Sequence, residues 1–241
     1  MASLERQIKR WKNLKQPDNK LLTCFICDFS DINENFKKYK TNDIFNAGEI
    51  VRHQCPNCDV IFGDLRFLNF NKLEINDDYC DTYSYFKEGE TYGTQLECLN
   101  SIDLFKNKIY SYLDYASGIG KIIPILMKES YNIYGYDKYV ISKNVLNNID
   151  NMKFDVIFSN NFIEHLINPI DDIKNMLNHL NDNGYLIFTS DCIDEYKVEF
   201  THFHTFYFLG RSLNVLAKKL NLNILELKSV GQNRVLVLQR I

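Results

Sequence analysis

The strongest constraint on how this chain can fold lies at residues 109–122, Ile-Tyr-Ser-Tyr-Leu-Asp-Tyr-Ala-Ser-Gly-Ile-Gly-Lys-Ile. A β-prone apolar run (Ile109, Tyr110, Tyr112, Leu113) ends at Asp114, and the chain turns through Ala116, Gly118 and Gly120 before helical periodicity begins over 122–130. Strand, glycine-rich loop and helix in that order open an α/β sheet. Small residues at 116, 118 and 120 let backbone N–H groups at the head of a helix approach a ligand that larger side chains would hold off. A nucleotide-like ligand is therefore expected at this bend.

The loop also discriminates among nucleotides. A dinucleotide fingerprint needs a third small residue where this chain has Ile123, which would push the helix off the sheet. A phosphate-binding P-loop needs Gly at 115 and Ser or Thr at 122, and the chain has Tyr115 and Ile122. The remaining pattern, Asp114-x-Ala116-x-Gly118-x-Gly120, resembles motif I of the class I S-adenosylmethionine (SAM) dependent methyltransferases, D-x-G-x-G-x-G, with Ala116 replacing the first glycine. An ordinary tight βα turn is the alternative. Residues 131–136 then alternate as a second strand ending in Asp137, seventeen positions after Gly120. A carboxylate there can accept hydrogen bonds from both ribose hydroxyls; a solvent-facing turn residue is the other reading.

Ahead of this unit stand Cys24-x-x-Cys27 and Cys55-x-x-Cys58, with 27 residues between the pairs. Each pair can bring two sulfurs within reach of one ion, and the two together complete a tetrahedral thiolate site. Four protein ligands leave no open position, so Zn²⁺ is expected to be structural, supplying the folding energy of a ribbon over about 22–64. Residues 28–53, poor in apolar side chains, are not expected to order without it. His53 is expected beside the site or exposed, and the doubling of the pair argues against a redox dithiol. Seven cysteines, an odd number, fit thiols and metal better than a disulfide framework.

Basic residues Arg6, Lys9, Arg10, Lys12, Lys15 and Lys20 make residues 1–20 read as a solvated, partly helical leader. No run approaches a membrane span, no apolar signal core is present, and the chain is expected to be cytoplasmic. A net charge of −3 offers no general attraction to nucleic acid or anionic membranes.

Residues 77–92 are dense in tyrosine, and Tyr79, Tyr83 and Tyr85 are candidates either to grip the cofactor or to pack the ribbon on the main domain. A helix is expected over 95–105 with Leu96, Leu99 and Ile102 on its apolar side. After Asp137, residues 140–146 read as a short helix at best, and Ile149 and Asp150 are the nearest adenine candidates. Residues 154–159 read as a buried strand whose exit, from Asn160 through Glu164-His165 to Pro169, resembles the E-H-x-x-x-P segment of small-molecule methyltransferases. It lacks the paired prolines of base N-methyltransferases. A helix over 170–180, a strand over 185–189, an amphipathic helix over 210–220 and a terminal hairpin follow. Thr201-His202-Phe203-His204 resembles the histidine stretch before the penultimate helix of the same group. As a metal site this pair lacks a third ligand nearby in sequence.

The whole predicts an α/β fold: a Rossmann-like seven-stranded methyltransferase sheet, short by one strand, behind a small zinc ribbon. Domains are expected at 1–64 (leader and ribbon), 65–107 (Tyr-rich linker and lead-in helix) and 108–241 (SAM-binding domain). The resemblance implies SAM held by Asp114, Ala116, Gly118, Gly120, Asp137 and Asn160, and zinc-ribbon leaders on this domain imply a sugar, nucleotide-linked sugar or other surface-glycan precursor as acceptor. An alcohol oxygen is a weak nucleophile, so a base is expected among His165, His202 and His204, oriented by Glu164. C-methylation of a nucleotide sugar, a zinc-ribbon RNA methyltransferase and a non-catalytic SAM-fold scaffold are the alternatives.

Overall fold

The computed structural model describes residues 2–69, 91–196 and 203–241. Helix α1 (Ala2–Asn13) opens the chain. It is not simply solvated: Trp11 is fully buried, and the Arg66 guanidinium lies 4.6 Å from its ring. An indole on an otherwise polar helix gains most by anchoring that helix to the core.

Strands β1 (Leu21–Thr23) and β2 (Ser30–Ile32) pair antiparallel across the first cysteine turn. They are followed by β3 (Lys37–Asn42), β4 (Glu49–Gln54) and β5 (Ile61–Gly63), an antiparallel meander. The stretch expected to order around a metal carries a regular ladder, from Lys37↔Gln54 to Asn42↔Glu49, with Phe36 and Ile50 buried. His53 is buried, not exposed, with its ring 6.1 Å from that of Phe62.

Helix α2 (Thr91–Asn100) buries Leu99, and a 3₁₀ turn at Asp103–Lys106 leads into β6 (Ser111–Tyr115). The strand starts two residues later than the apolar run suggests. Ile109 is 90% exposed because the Asn107 side chain takes its N–H in a turn. The chain continues through α3 (Ile123–Lys128), β7 (Asn132–Tyr136), β8 (Val145–Leu146), β9 (Phe154–Asn160), α4 (Pro169–Leu177) and β10 (Leu180–Ser190). It closes with β11 (Phe206–Tyr207), α5 (Ser212–Lys219), β12 (Leu222–Val230) and β13 (Asn233–Arg240).

Seven strands form one sheet in the order β12-β13-β10-β9-β6-β7-β8. Strands β8, β7, β6, β9 and β10 run parallel, and β13 is antiparallel to both its neighbours. The sheet is therefore not short of a strand. The segment read as a short helix contains β8 instead, because the Asp137 carboxylate accepts the N–H groups of Tyr139 and Val140 and turns the chain sharply. Helix α4 stops at Leu177, three residues early, and Leu180 already pairs with Phe154.

Strand β11 leaves this sheet and joins the ribbon, giving a second sheet in the order β11-β5-β4-β3. Phe206 pairs with Phe62 and Tyr207 with Ile61, across the boundary expected at residue 64. Phe25, Phe62, Phe67 and Phe206 form one aromatic cluster with ring centroids 5.3–6.5 Å apart. Ribbon and main sheet share a core.

Candidate functional site

The glycine-rich loop joins β6 to α3 at the carboxyl edge of the sheet, where open α/β sheets bind ligands. Ala116, Gly118 and Gly120 all have positive φ, at 60°, 56° and 69°. Ala116 therefore occupies the left-handed region that favours the glycine it replaces, at a cost of about 1 kcal/mol. At Gly120 an added Cβ would lie 3.0 Å from Val145 Cγ2, so β8 closes the space beneath the loop. Asp137 is buried, and its Oδ2 accepts the Gly118 N–H at 2.9 Å while Oδ1 accepts those of Tyr139 (2.8 Å) and Val140 (3.0 Å). Burial pushes its carboxyl upward, and the three N–H groups oppose that shift. Asp114, also buried, accepts a hydrogen bond from Gln95 Nε2 on α2. The Ser117 hydroxyl is buried with no hydrogen-bond partner, as a polar group of a ligand pocket would be. The small residues, the backbone N–H groups and the buried carboxylates of this loop fit an adenosyl ligand. Ile149 is buried beneath, whereas Asp150 is exposed and tied to Asn148.

A second group stands one strand over. Strand β9 ends at Asn160, and the 3₁₀ turn Ile163–His165 follows. Glu164 is 1% exposed and its Oε2 has no hydrogen-bond partner. His165 Nδ1 lies 3.0 Å from the Phe203 carbonyl, and the His165 and His204 rings meet edge to face, 4.9 Å between centroids. One ligand-capable atom from each of Glu164, His165 and His204 lies within 4.8 Å of the others, so His204 meets in space two groups far from it in sequence. Burial holds both imidazoles below their ordinary pKa, His204 at about 2, and they are neutral at physiological pH. Cys192 Sγ lies 3.5 Å from His204 Nδ1 and 3.4 Å from Asp191 Oδ1.

Burial likewise pushes Glu164 up to about 8. A carboxyl raised on folding contributes stability that is full below its unfolded pKa of 4.5 and is lost as pH rises to about 8. Glu164→Gln should flatten that decline, so its urea midpoint should change less across this window than the parent's. A parallel decline in both would remove Glu164 as the cause.

At the carboxyl end of β9 a cleft of about 330 Å³ is lined by Thr91, Thr94, Glu97, Asn160, Asn161, Asp191 and residues 230–233. The structure thus brings together Glu164, His165 and His204 and places Asn160 on the wall of the cleft. Tyr79, Tyr83, Tyr85 and His202 lie outside the described residues. Asp191, Cys192 and Gln95 carried no sequence signal beyond their place at element ends.

The four cysteines form two matching turns. Cys24 and Cys55 each accept an N–H four residues on, from Asp28 and Asp59, and both of those residues have positive φ. Their sulfurs interleave, with Cys24 to Cys58 at 3.6 Å and Cys27 to Cys55 at 3.5 Å. That is too long for a disulfide near 2.05 Å and close to the roughly 3.8 Å edge of a tetrahedral Zn–S₄ site. The cluster fits a structural zinc ion.

A parallel sheet whose first crossover carries a glycine-rich loop tied to an acid at the end of the second strand, with an antiparallel strand inserted beyond the fifth, defines a class I methyltransferase fold. Residues 92–227, more than half of the 241, match the family model described as a methyltransferase domain, and the chain belongs to this SAM-dependent methyltransferase family. Comparison with curated proteins gives no match. Among solved structures, LaPhzM is similar at 8% identity and a TM-score of 0.53, over 73% of this chain and 64% of that one. An O-methyltransferase family protein from Burkholderia thailandensis is 12% identical over 70% of this chain and 60% of that one, with a TM-score of 0.47. A SAM dependent methyltransferase from Aquifex aeolicus is 14% identical over 67% and 98%, with a TM-score of 0.48. The chain spans less than two thirds of the first two structures' lengths. Among the described residues no helix is long and apolar enough to cross a membrane.

Proposed function

We propose that this chain transfers the methyl group of SAM to a hydroxyl of a small polar acceptor, such as a sugar, a nucleotide-linked sugar or another precursor of a capsule or surface glycan. One observation carries the reading: the loop clasped by Asp137 follows β6, and the 3₁₀ turn bearing Glu164 and His165, which His204 meets, follows the neighbouring parallel strand β9, so both stand at the carboxyl edge of one sheet. Transfer needs the acceptor oxygen in line with the sulfonium methyl. The cofactor side is assigned to Asp114, Ala116, Gly118, Gly120, Asp137 and Asn160.

An alcohol oxygen becomes a competent nucleophile as its proton leaves, and a neutral imidazole can take that proton. With Nδ1 of His165 committed to the Phe203 carbonyl, Nε2 keeps the lone pair. Glu164, protonated near neutrality, is suited to orienting this pair rather than to competing with it. The four cysteines would hold Zn²⁺ with no open position, so its contribution is to structure. A cluster of reduced thiols suits the cytoplasm.

Incubation with labelled SAM and a panel of sugars and sugar nucleotides should reveal the acceptor. His165→Ala and His204→Ala should each lower turnover by about 10²–10⁴-fold while leaving SAM affinity unchanged. Full turnover in both variants would refute imidazole base catalysis.

A further inference from the structure

We propose that Arg52, on strand β4 of the cysteine ribbon, is a positioning residue for His204, so that the ribbon supplies part of the methyl-transfer machinery. The inference rests on the proposed reaction for its purpose and on geometry for its substance. Arg52 is 1% exposed, and both its Nε and a terminal nitrogen donate to the His204 carbonyl, at 3.3 and 3.2 Å. Its guanidinium also lies 5.2 Å from the centre of the Tyr207 ring, three residues on from His204. A two-pronged guanidinium sets a carbonyl's direction as well as its distance, which a single ammonium cannot do.

The segment so held is a strap. The Phe203 carbonyl meets His165 Nδ1, the His204 carbonyl takes Arg52, and the Thr205 carbonyl accepts Gly63 N–H of β5 at 3.0 Å. On its other side Thr205 donates its N–H to the Glu164 carbonyl at 2.7 Å and its hydroxyl to that of Leu166 at 2.6 Å. The backbone under both imidazoles and under Glu164 is therefore fastened to the ribbon.

Arg52 acts on the imidazole through its charge as well. Among the described residues, Glu164 and His165 from the 3₁₀ turn, Cys192 just past β10 and Tyr207 from β11 lie against His204, with Asp191 beside Cys192. Burial disfavours an imidazolium at His204 most, then His165, then the Arg52 charge. Arg52 thus adds to the burial that keeps His204 a neutral acceptor.

The test uses the full zinc-loaded chain labelled with ¹⁵N-histidine, the His204 signals being assigned by their loss in His204→Gln. In the parent, His204 should stay neutral down to about pH 5, against an ordinary midpoint near 6.5. Arg52→Met should raise the midpoint by about one unit or more and lower turnover about tenfold, with SAM affinity unchanged. Arg52→Lys should keep the midpoint low yet still lose turnover, since it keeps the charge and loses the fork. An ordinary midpoint in the parent overturns the proposal even if no variant folds. So does an unmoved midpoint in an Arg52→Met chain of unchanged melting temperature, or a second metal ion per chain bound to these imidazoles. Absence of SAM binding by calorimetry would instead sink the methyl-transfer reading and leave the histidine titration standing.

Discussion

Replacing Cys55 with serine, or stripping the protein with a strong chelator, is expected to abolish cooperative folding of the ribbon. A structural zinc ion contributes an apparent binding energy on the order of 10–16 kcal/mol at neutral pH, comparable with or above the whole 5–15 kcal/mol of a typical domain. Cys24, Cys55 and Cys58 are fully buried, and without a cation the site would hold four crowded thiols around nothing. The damage should spread, because β5 of the ribbon pairs with β11 and the aromatic cluster around Phe62 and Phe206 straddles both sheets. One zinc per chain in the parent and none in Cys55→Ser should accompany loss of near-ultraviolet circular dichroism. A variant that keeps the parent's melting temperature would show that strand pairing alone holds the ribbon.

The second large effect is expected at Asp137. Its carboxylate ties the Gly118 N–H to the turn beyond β7, and in the proposed site it also holds the ribose. Hydrogen bonds to a charged group are worth roughly 1.5–3 kcal/mol each, so Asp137→Ala should weaken SAM binding by about 3 kcal/mol, roughly 100-fold or more. Asp137→Asn should fall between, since its amide oxygen still accepts from the loop while its charge is gone. Calorimetry decides the matter, and undiminished affinity in Asp137→Ala would remove that residue from the site.

The legible parts of this molecule were those in which chemistry is written within a few residues. The turn from Leu113 to Gly120 could be read because only small residues tolerate positive φ, and even Ala116 sits where a glycine is favoured. The cysteine turns could be read because two residues between sulfurs is the spacing that one ion needs. The short strand β8 was missed because two residues carry no periodicity, and its existence depends on Asp137 folding the chain back upon itself. The anchoring of the leader by Trp11 is hidden for a related reason, since a polar helix gives no sign that one indole has a core to enter.

What residue order settles, then, is local: an α/β sheet opening on a ligand-binding loop, a four-thiolate turn pair, and an acid and imidazoles at strand ends. Residue order could not show that Glu164, His165 and His204 meet, or that Arg52 reaches the His204 carbonyl across 152 positions. Those contacts exist because β11, though it lies between strands of the main sheet along the chain, pairs with β5 of the ribbon. Such a pairing is set by which surfaces remain to be buried once both sheets have formed, a property of the packed whole that no short stretch of chain contains.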